Sequence, residues 1–267
     1  MRFAQQGSGL YTPAPPVIGQ LIYDSGASNT WGPNAGQTGV TSGALYWDTD
    51  ATPGGSGITS TFWHNLHGTG VHISHGPGRS LAGGLIGQPG YEALALMTIA
   101  CGSSLYTDWQ IGDPKYNAVK AATRAALTLL PAAFPQVTSW QIRQVRNQGS
   151  SDMRVNNLAY QQGWAAGQAS WTTALQNDIF SVWSGVPHTW KPDLLIQQCT
   201  DITGAFFVSQ GVIPQQYIYT DTNHVVNCDP SQGVGYEADF VHYTTPGNIT
   251  VGGLVSARTV FLDSIGQ

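Results

Sequence analysis

The sequence predicts a three-layer α/β/α sandwich built on a parallel sheet of about five strands. Short apolar runs alternate along the chain with longer segments of helical periodicity, a pattern typical of a parallel sheet covered by helices on both faces. Neither an internal repeat nor a linker divides the 267 residues, and this length suits one large domain. We therefore expect residues 1–18, which contain a Pro-Ala-Pro-Pro run, to form an extended arm and residues 19–267 to form a single domain.

The predicted strands are short apolar or alternating runs bounded by turn residues. They cover residues 17–24, 93–100, 137–145, 193–199 and 216–220. The first three lead into turns of small and polar residues, namely Gly26–Asn29, Cys101–Leu105 and Gln148–Asp152. Because functional residues of parallel sheets cluster at the carboxyl ends of the strands, we expect these turns to share one edge.

Helical spacing of apolar residues predicts helices over residues 79–86, 115–130, 156–180 and about 246–262. Pro131 is expected to end the second of them. Thr244 or Thr245 is expected to cap the last helix, with Pro246 in its first turn. Residues 30–70 have no clear periodicity, so this stretch is predicted to be a long functional loop or to carry small elements of its own.

The composition excludes several classes of partner. Charged residues make up only 9 % of the chain, against about 25 % in soluble domains. The net charge of −5 arises from few charges, and the sequence shows no cluster of basic residues that would bind nucleic acid. No apolar run approaches the ~18 residues of a membrane span, and no N-terminal signal peptide is recognisable. We expect a protein that handles neutral polymers such as carbohydrate, extracellular or virion-associated rather than cytoplasmic. The sequence indicates no oligomeric state.

The metal-binding residue types do not form a recognisable site. The cysteines, at positions 101, 199 and 228, are odd in number and lack a C-x-x-C spacing, which argues against a disulfide framework or a zinc knuckle. Four histidines lie between His64 and His75, but no Cys, Asp or Glu accompanies them. Gly68 and Gly70 interrupt any helix that would align them. We expect no metal and no cofactor.

The run from Asp239 to His242 has the spacing of an acid and a base on one turn. A carboxylate that accepts from one imidazole nitrogen fixes the tautomer and leaves the other nitrogen free to take a proton from a nucleophile. The alternative is a loop aspartate and a surface histidine ahead of an ordinary helix, because so short a motif has a high false-positive risk.

The three turns supply the remaining parts of an acyl-transfer site. Ser28, on a turn directly after a strand, is a candidate nucleophile, and Ser25 competes with it three residues earlier. The Gly102 N–H and the Gln148 side chain are candidate donors to an oxyanion. Each also has a structural interpretation: Ser28 as a turn residue, Gly102 for its backbone angles and Gln148 as a partner of backbone groups at a strand end.

Five stretches together resemble the SGNH hydrolases, specifically the sialate O-acetylesterase-like branch of the carbohydrate esterases. The similar stretches are Gly26-Ala27-Ser28-Asn29, Gly76-Pro77-Gly78-Arg79-Ser80, Cys101-Gly102-Ser103-Ser104-Leu105 with Trp109, Gln148-Gly149-Ser150-Ser151-Asp152, and Asp239 with His242 to Gly247. They occur in the family's order and span nearly the whole chain.

The resemblance implies a carbohydrate O-acetylesterase with Ser28 as the nucleophile, His242 as the base and Asp239 as the partner of the histidine. The oxyanion donors would be the N–H groups of Ser28 and Gly102 and the side chain of Gln148. The substrate would be an O-acetylated carbohydrate.

Asn29 and Trp109 lie in two of these stretches and are expected to contact the substrate, although a place in the buried core is the default for any single tryptophan. Two positions depart from the family pattern: Ala27 stands where the family has Gln, and Ser150 where it has Glu. In this branch the Glu can help to hold the histidine, so in this chain that role would fall to Asp239. A catalytically weak or inactive carbohydrate-binding or structural module, for example of a phage tail or a cell-surface assembly, is therefore a second hypothesis. An esterase for other acyl chains is a third.

Overall fold

The computed structural model describes residues 16–26, 30, 41–52, 60–66, 77–197, 202–238 and 241–267. The strands are β1 Val17–Gly26, β2 Thr41–Asp50, β3 His64–Leu66, β4 Leu94–Ala100, β5 Val137–Asn147, β6 His188–Trp190, β7 Leu194–Gln197 and β8 Val225–Asn227. The helices are α1 Gly78–Leu85, α2 Pro114–Ala133, α3 Leu158–Gln162, α4 Trp164–Asn177, α5 Val212–Tyr219 and α6 Thr245–Ser264.

The described strands form one sheet in the order β3-β2-β4-β1-β5-β7-β8, and β6 pairs with the first part of β5. All pairings are parallel except that of β3 with β2. The predicted fold class is confirmed, but the sheet has eight strands rather than about five. Strands β2 and β3 lie in the stretch without clear periodicity, and the predicted arm overlaps β1, which begins at Val17.

Helices cover both faces of the sheet because its central strands are apolar on both sides. In β1, Leu21 and Tyr23 pack into one core with residues of α2 and α4. Ile22 faces the other way, into a second core with residues of α1 and α6. Every residue of β1 from Gly19 to Gly26 is buried, as expected for a central parallel strand.

Helix α2 continues past the predicted stop at Pro131 and ends at Ala133. Proline lacks the N–H that would bond to the carbonyl four residues earlier, that of Leu127. In this protein the indole nitrogen of Trp183 donates to that carbonyl at 2.7 Å. A neighbouring element therefore satisfies the backbone group that Pro131 leaves open.

The predicted strand at residues 216–220 is wrong, because these residues belong mainly to helix α5. The run Gln-Tyr-Ile-Tyr-Thr is rich in strand-forming residues, but so short an apolar run does not distinguish a strand from a helix. In the structure Val212 and Gln216, one helical turn apart, are buried together. Tyr217 and Ile218 remain exposed.

Candidate active site

Strand register brings the three predicted turns to one edge of the sheet. Gly26, the last residue of β1, lies between Ala100 of β4 and Asn147 of β5, and its carbonyl accepts from Cys101 N at 2.9 Å. The three strands thus end at the same level, and the turns that follow them begin side by side. This is the edge at which sites of open α/β sheets are found.

A glycine is required at the point where β1 ends. A Cβ on Gly26 would lie 2.0 Å from the carbonyl oxygen of Asn147 and 2.5 Å from Thr30 Oγ1. No side chain fits these distances. The turn that begins at Gly26 therefore starts in close backbone contact with the neighbouring turn after β5. Ala27, Ser28 and Asn29 lie outside the described residues, so the predicted roles of Ser28 and Asn29 stay predictions.

The serine that competes for the nucleophile's role is described, and it does not fit that role. Ser25 is fully buried within β1. Its hydroxyl accepts from Nη1 of Arg146 at 3.1 Å and from Nε2 of Gln144 at 3.5 Å. A serine so enclosed is not reached by a substrate.

The turn after β4 contains Gly102, whose N–H donates to Thr52 Oγ1 at 2.6 Å. Thr52 follows β2, and its own N–H donates to Asp50 Oδ1 at 3.0 Å. Ser103, the next residue along the turn, has a φ of +52°, which is uncommon outside glycine. The predicted oxyanion donor Gly102 thus lies on a strained turn with its N–H engaged by a hydroxyl.

The turn after β5 is joined to the turn after β4 through Gln148. This side chain is fully buried. Its Nε2 donates to the carbonyl of Ser104 at 2.7 Å and to Asp152 Oδ2 at 3.2 Å. Gly149, with a φ of +130°, allows the chain to turn immediately after it. Both amide hydrogens of this predicted oxyanion donor are therefore used inside the protein.

Asp152 is the acceptor around which this turn is organised. Its carboxylate accepts from Tyr106 N at 2.9 Å and from the Tyr160 hydroxyl at 2.7 Å, besides Gln148. Burial raises the pKa of Asp152, and the hydrogen bonds together with the charge of Arg146 oppose that rise. Sequence reasoning included Asp152 in a motif but assigned it no role, because its partners come from three separate segments.

His242 lies on a loop closed by two short antiparallel segments. Thr244 N donates to the carbonyl of Gly235 at 3.0 Å, and Glu237 N donates to the carbonyl of His242 at 2.8 Å. Of the two predicted caps of the last helix, Thr244 is the N-cap, and its hydroxyl accepts from Gly247 N at 3.1 Å. The Tyr236 hydroxyl donates to the carbonyl of Cys228 at 2.6 Å.

Cys228 directly follows β8, so this loop starts from the same edge of the sheet as the three turns. His242 is half-buried. Asp239 lies outside the described residues, and its predicted pairing with His242 stays a prediction.

Trp109 does not fit the predicted contact with substrate. It is 1 % exposed, and its ring packs edge-on against Trp171 with centroids 4.8 Å apart. The Arg146 guanidinium carbon lies 4.0 Å from the centre of the Trp109 ring. No face of this tryptophan is left for a sugar ring, because β5 and α4 cover it.

Arg146 is a buried cation that sequence reasoning missed. It is 1 % exposed, lies between Trp109 and Trp171, and donates from Nε to Gln168 Oε1 at 2.8 Å. Burial lowers its pKa to about 10. Its stacking between two aromatic rings is the geometry expected of a cation–π contact. Arg146 thus packs directly below the turn that follows β5.

No group of three His, Cys, Asp or Glu residues suited to a metal ion occurs in the described parts of the chain. The predicted histidine-rich stretch lies outside this test, because only the backbone of His64 is described there. None of the described helices is both long and apolar enough to cross a membrane.

Neither a protein-family model nor a curated protein matches the sequence. Among the solved structures that are similar, two match over 92 % of the chain. One is a protein from Arabidopsis thaliana, 17 % identical, with 98 % of its own chain covered and a TM-score of 0.57. The other is a carbohydrate acetylesterase from Xanthomonas citri, 14 % identical, with a TM-score of 0.53.

The chain spans 57 % of the length of the Xanthomonas protein. At these identities the likeness concerns the fold alone. It confirms at that level the three-layer α/β/α fold that the sequence predicts.

Proposed function

We propose that the protein is a serine esterase that removes O-acetyl groups from carbohydrate. The observation that carries the proposal is the register of β4, β1 and β5, which ends all three strands at one level around Gly26. The loop of His242 starts from the same edge. A nucleophile, a base and oxyanion donors are the parts that acyl transfer needs, and the sequence places a candidate for each on these turns.

In the proposed mechanism Ser28 Oγ attacks the acetyl carbonyl carbon while His242 takes the hydroxyl proton. Asp239 orients the imidazole and stabilises its charged form. The N–H groups of Ser28 and Gly102 and the amide of Gln148 would bind the tetrahedral oxyanion. His242 then gives the proton to the sugar oxygen as the carbon–oxygen bond breaks, which leaves an acetyl-serine. Water, deprotonated by His242, hydrolyses this intermediate and releases acetate.

Carbohydrate as the substrate is supported by two features beyond the low charge of the chain. The Xanthomonas neighbour is described as a carbohydrate acetylesterase. In this chain Phe206 and Phe207 are 40 % and 38 % exposed, and Phe206 N donates to the carbonyl of Met153 at 2.7 Å. Met153 follows Asp152, so this aromatic pair lies close to the turn after β5. Exposed aromatic faces of this kind suit the apolar faces of sugar rings.

The test is acetate release from p-nitrophenyl acetate and from acetylated polysaccharide by the wild type and Ser28→Ala. We expect the variant to lose at least a thousand-fold in kcat, on the order of the effects seen when a triad member is removed. Ser184→Ala, at an exposed serine after α4, serves as the matched control. Equal rates for wild type and Ser28→Ala would refute the proposal. Faster turnover of octanoyl than acetyl esters would indicate an esterase for longer acyl chains.

One observation favours the second candidate, a carbohydrate-binding module without activity. The Gly102 N–H and the Gln148 amide both donate to internal acceptors, so an oxyanion would have to displace Thr52 Oγ1 and one acceptor of Gln148. A module of this kind would not be labelled at Ser28 by a fluorophosphonate. It would also bind its glycan equally well before and after chemical de-acetylation.

A further inference from the structure

Residues 202–211, in the loop after β7, present two neighbouring phenylalanine rings to solvent. Phe206 and Phe207 are 40 % and 38 % exposed, and their ring centroids lie 6.3 Å apart at an interplanar angle of 41°. The loop contains no charged residue, and its other exposed side chains include those of Thr203 and Ser209. Two aromatic faces thus share the loop with uncharged polar groups.

The backbone of Phe207 is held in an unfavourable conformation. Its φ is +53°, in the left-handed region where a bulky side chain is an outlier. Among the described residues other than glycine, Ser103 is the only other one with a positive φ. A residue persists in this region when its surroundings impose the conformation, and such positions cluster at ligand sites. The conformation of Phe207 therefore has a structural cause and points to a functional one.

The structural cause is a set of hydrogen bonds around the side chain of Gln161. This side chain is fully buried. Its Nε2 lies 3.1 Å from the carbonyl oxygen of Phe206, 3.1 Å from that of Met153 and 2.9 Å from that of Val155. The carbonyl of Phe207 accepts from the N–H groups three and four residues further along, at 2.9 and 2.6 Å. The backbone is thus fixed on both sides of the strained residue, and the two rings are ordered before any ligand binds.

The same contacts place the aromatic pair beside the candidate active site. Phe206 N donates to the carbonyl of Met153 at 2.7 Å. Met153 directly follows Asp152, whose carboxylate accepts from Gln148 Nε2 at 3.2 Å. One hydrogen bond therefore joins the loop of the two rings to the turn that carries the candidate oxyanion donor.

The exposed area of the pair discriminates between classes of ligand. Phenylalanine side chains have areas of about 150–250 Å², so two rings that are each about 40 % exposed present about 120–200 Å². Apolar patches that mark protein interfaces are larger, at several hundred Å². The area of this pair suits the apolar faces of one or two sugar rings. The hydroxyl groups of Thr203 and Ser209 suit sugar hydroxyls and not the methylene groups of an acyl chain.

We propose that Phe206 and Phe207 form a subsite for the sugar units next to the acetylated one, and that Phe207 determines the preference for carbohydrate esters over small esters. This inference rests on the proposed function and assigns recognition of the sugar chain to residues 202–211. An aromatic ring that is fixed before binding loses little conformational freedom on contact with its ligand. The strain at Phe207 is thus part of an ordered binding surface.

The first experiment measures binding to unacetylated polysaccharide, by affinity electrophoresis in gels that contain xylan or glucomannan. We expect Phe206→Ala and Phe207→Ala each to bind about ten-fold more weakly than the wild type, as for loss of the apolar contact of one ring face. Phe261→Ala is the matched control. Phe261 is 49 % exposed near the end of α6, where Asp263 contacts Tyr91 ahead of β4, and its variant should bind like the wild type.

The second experiment separates recognition of the sugar from the chemical step. On acetylated xylan, Phe207→Ala should raise KM about ten-fold with a smaller change in kcat, because its ring contacts sugar units and not the reacting ester. The loss of kcat/KM on p-nitrophenyl acetate, which carries no sugar, should be several-fold smaller.

A third measurement separates the strain from the ring. Phe207→Gly and Phe207→Ala both remove the ring, but glycine adopts a positive φ more readily than alanine. Phe207→Gly should therefore have a Tm about 2–4 °C above that of Phe207→Ala, as expected for a domain of this size. Both variants should bind polysaccharide equally weakly. Equal Tm values would contradict the strain at Phe207.

Wild-type binding by Phe206→Ala and Phe207→Ala overturns the inference, as does equal weakening in Phe261→Ala or a wild type that binds neither polysaccharide. If Phe207→Ala does not fold, Phe207→Leu decides the question, because it keeps apolar volume without an aromatic face and should bind as weakly. Phe207-dependent turnover that is faster on octanoyl than on acetyl esters would assign the rings to an acyl chain and also overturn the inference.

The failure of the subsite and that of the proposed function are distinguishable, because binding needs no turnover. Ser28-dependent turnover together with wild-type polysaccharide binding by the phenylalanine variants supports the esterase and removes the subsite. Weakened binding by these variants, in a protein without Ser28-dependent turnover, supports the subsite and overturns the proposed function.

Discussion

At the scale of single residues, Gln148 shows how burial changes the role that a motif implies. The sequence identifies it as an amide at the end of a strand, where it could bind an oxyanion or satisfy the backbone. In the structure it is fully buried and spans the turns after β4 and β5 through Ser104 and Asp152. A buried amide with both hydrogens donated is held in one orientation. Any role in binding an oxyanion then depends on Asp152.

We predict that Asp152→Asn lowers kcat on p-nitrophenyl acetate about ten-fold or more, with a smaller change in KM. The substitution keeps the size of the side chain but removes a charged acceptor shared by Gln148, Tyr106 and Tyr160. Hydrogen bonds to charged groups contribute about 1.5–3 kcal/mol, and about 1.4 kcal/mol corresponds to ten-fold in rate.

Steady-state kinetics over a range of substrate concentrations separates the two parameters. Asp178→Asn is the control, at a half-exposed aspartate paired with Lys120 at 2.7 Å and remote from the turns. Unchanged kcat in Asp152→Asn would mean that the orientation of Gln148 does not matter to turnover.

At the scale of elements, helices α1 and α6 pack in close contact. The adjacent Gly252 and Gly253 weaken the helical pattern of α6 in the sequence, yet the helix is continuous from Thr245 to Ser264. A Cβ on Gly252 would lie 2.4 Å from the carbonyl oxygen of Pro77 and 2.6 Å from Ser80 Cβ. Gly252 therefore permits the contact with α1, and packing outweighs its low helix propensity.

We predict opposite effects of alanine at these two neighbouring positions. Gly252→Ala should destabilise the protein by about 1–3 kcal/mol, because a methyl group has no room between the helices. Gly253 meets no atom within 4 Å, so Gly253→Ala should stabilise it by up to about 1 kcal/mol through helix propensity. Urea unfolding followed by circular dichroism measures both. Similar free energies of unfolding for the two variants would contradict the close packing of α1 on α6.

At the scale of the whole molecule, a partly buried ion cluster joins the end of α6 to the sheet. Asp263 Oδ1 accepts from Arg143 Nη2 and from Lys191 Nζ, each at 2.7 Å, and Asp263 Oδ2 accepts from the hydroxyl of Tyr91. Arg143 is 1 % exposed, and Asp263 is the acidic side chain to which it donates. Removal of one partner of a buried pair leaves an uncompensated charge, which costs about 3–5 kcal/mol.

We predict that Asp263→Asn lowers the free energy of unfolding by about 3 kcal/mol at pH 7 and by less at pH 3. Burial raises the pKa of Asp263, but hydrogen bonds from Lys191 and Tyr91 and the charge of Arg143 outweigh it, so its pKa lies below the usual value. A carboxylate with a lowered folded-state pKa stabilises the protein above its unfolded pKa, near 4. That stabilisation is lost as the pH falls through the folded pKa.

Urea unfolding of the wild type and the variant at the two pH values tests this, with Glu92→Gln as the exposed control. A difference between wild type and Asp263→Asn that is equal at pH 7 and pH 3 would show that the charge of Asp263 does not contribute.

The strand ends and the helix start that frame the candidate site could be predicted because their signals are local. Turn residues directly after apolar runs mark the ends of β1, β4 and β5, and Thr244 with Pro246 marks the start of α6. Trp109 was misjudged because its neighbour Trp171 is far along the chain.

The sequence by itself determined the alternation of strands and helices, since apolar periodicity, caps and turn residues act over a few positions. Tertiary structure alone decided the strand order that places Gly26 between Ala100 and Asn147. It also decided that residues 212–219 are helical and that the amide of Gln148 donates both to the carbonyl of Ser104 and to Asp152. The physical reason is that these outcomes depend on packing and hydrogen bonding between residues distant in sequence, where the local preference is weak or divided.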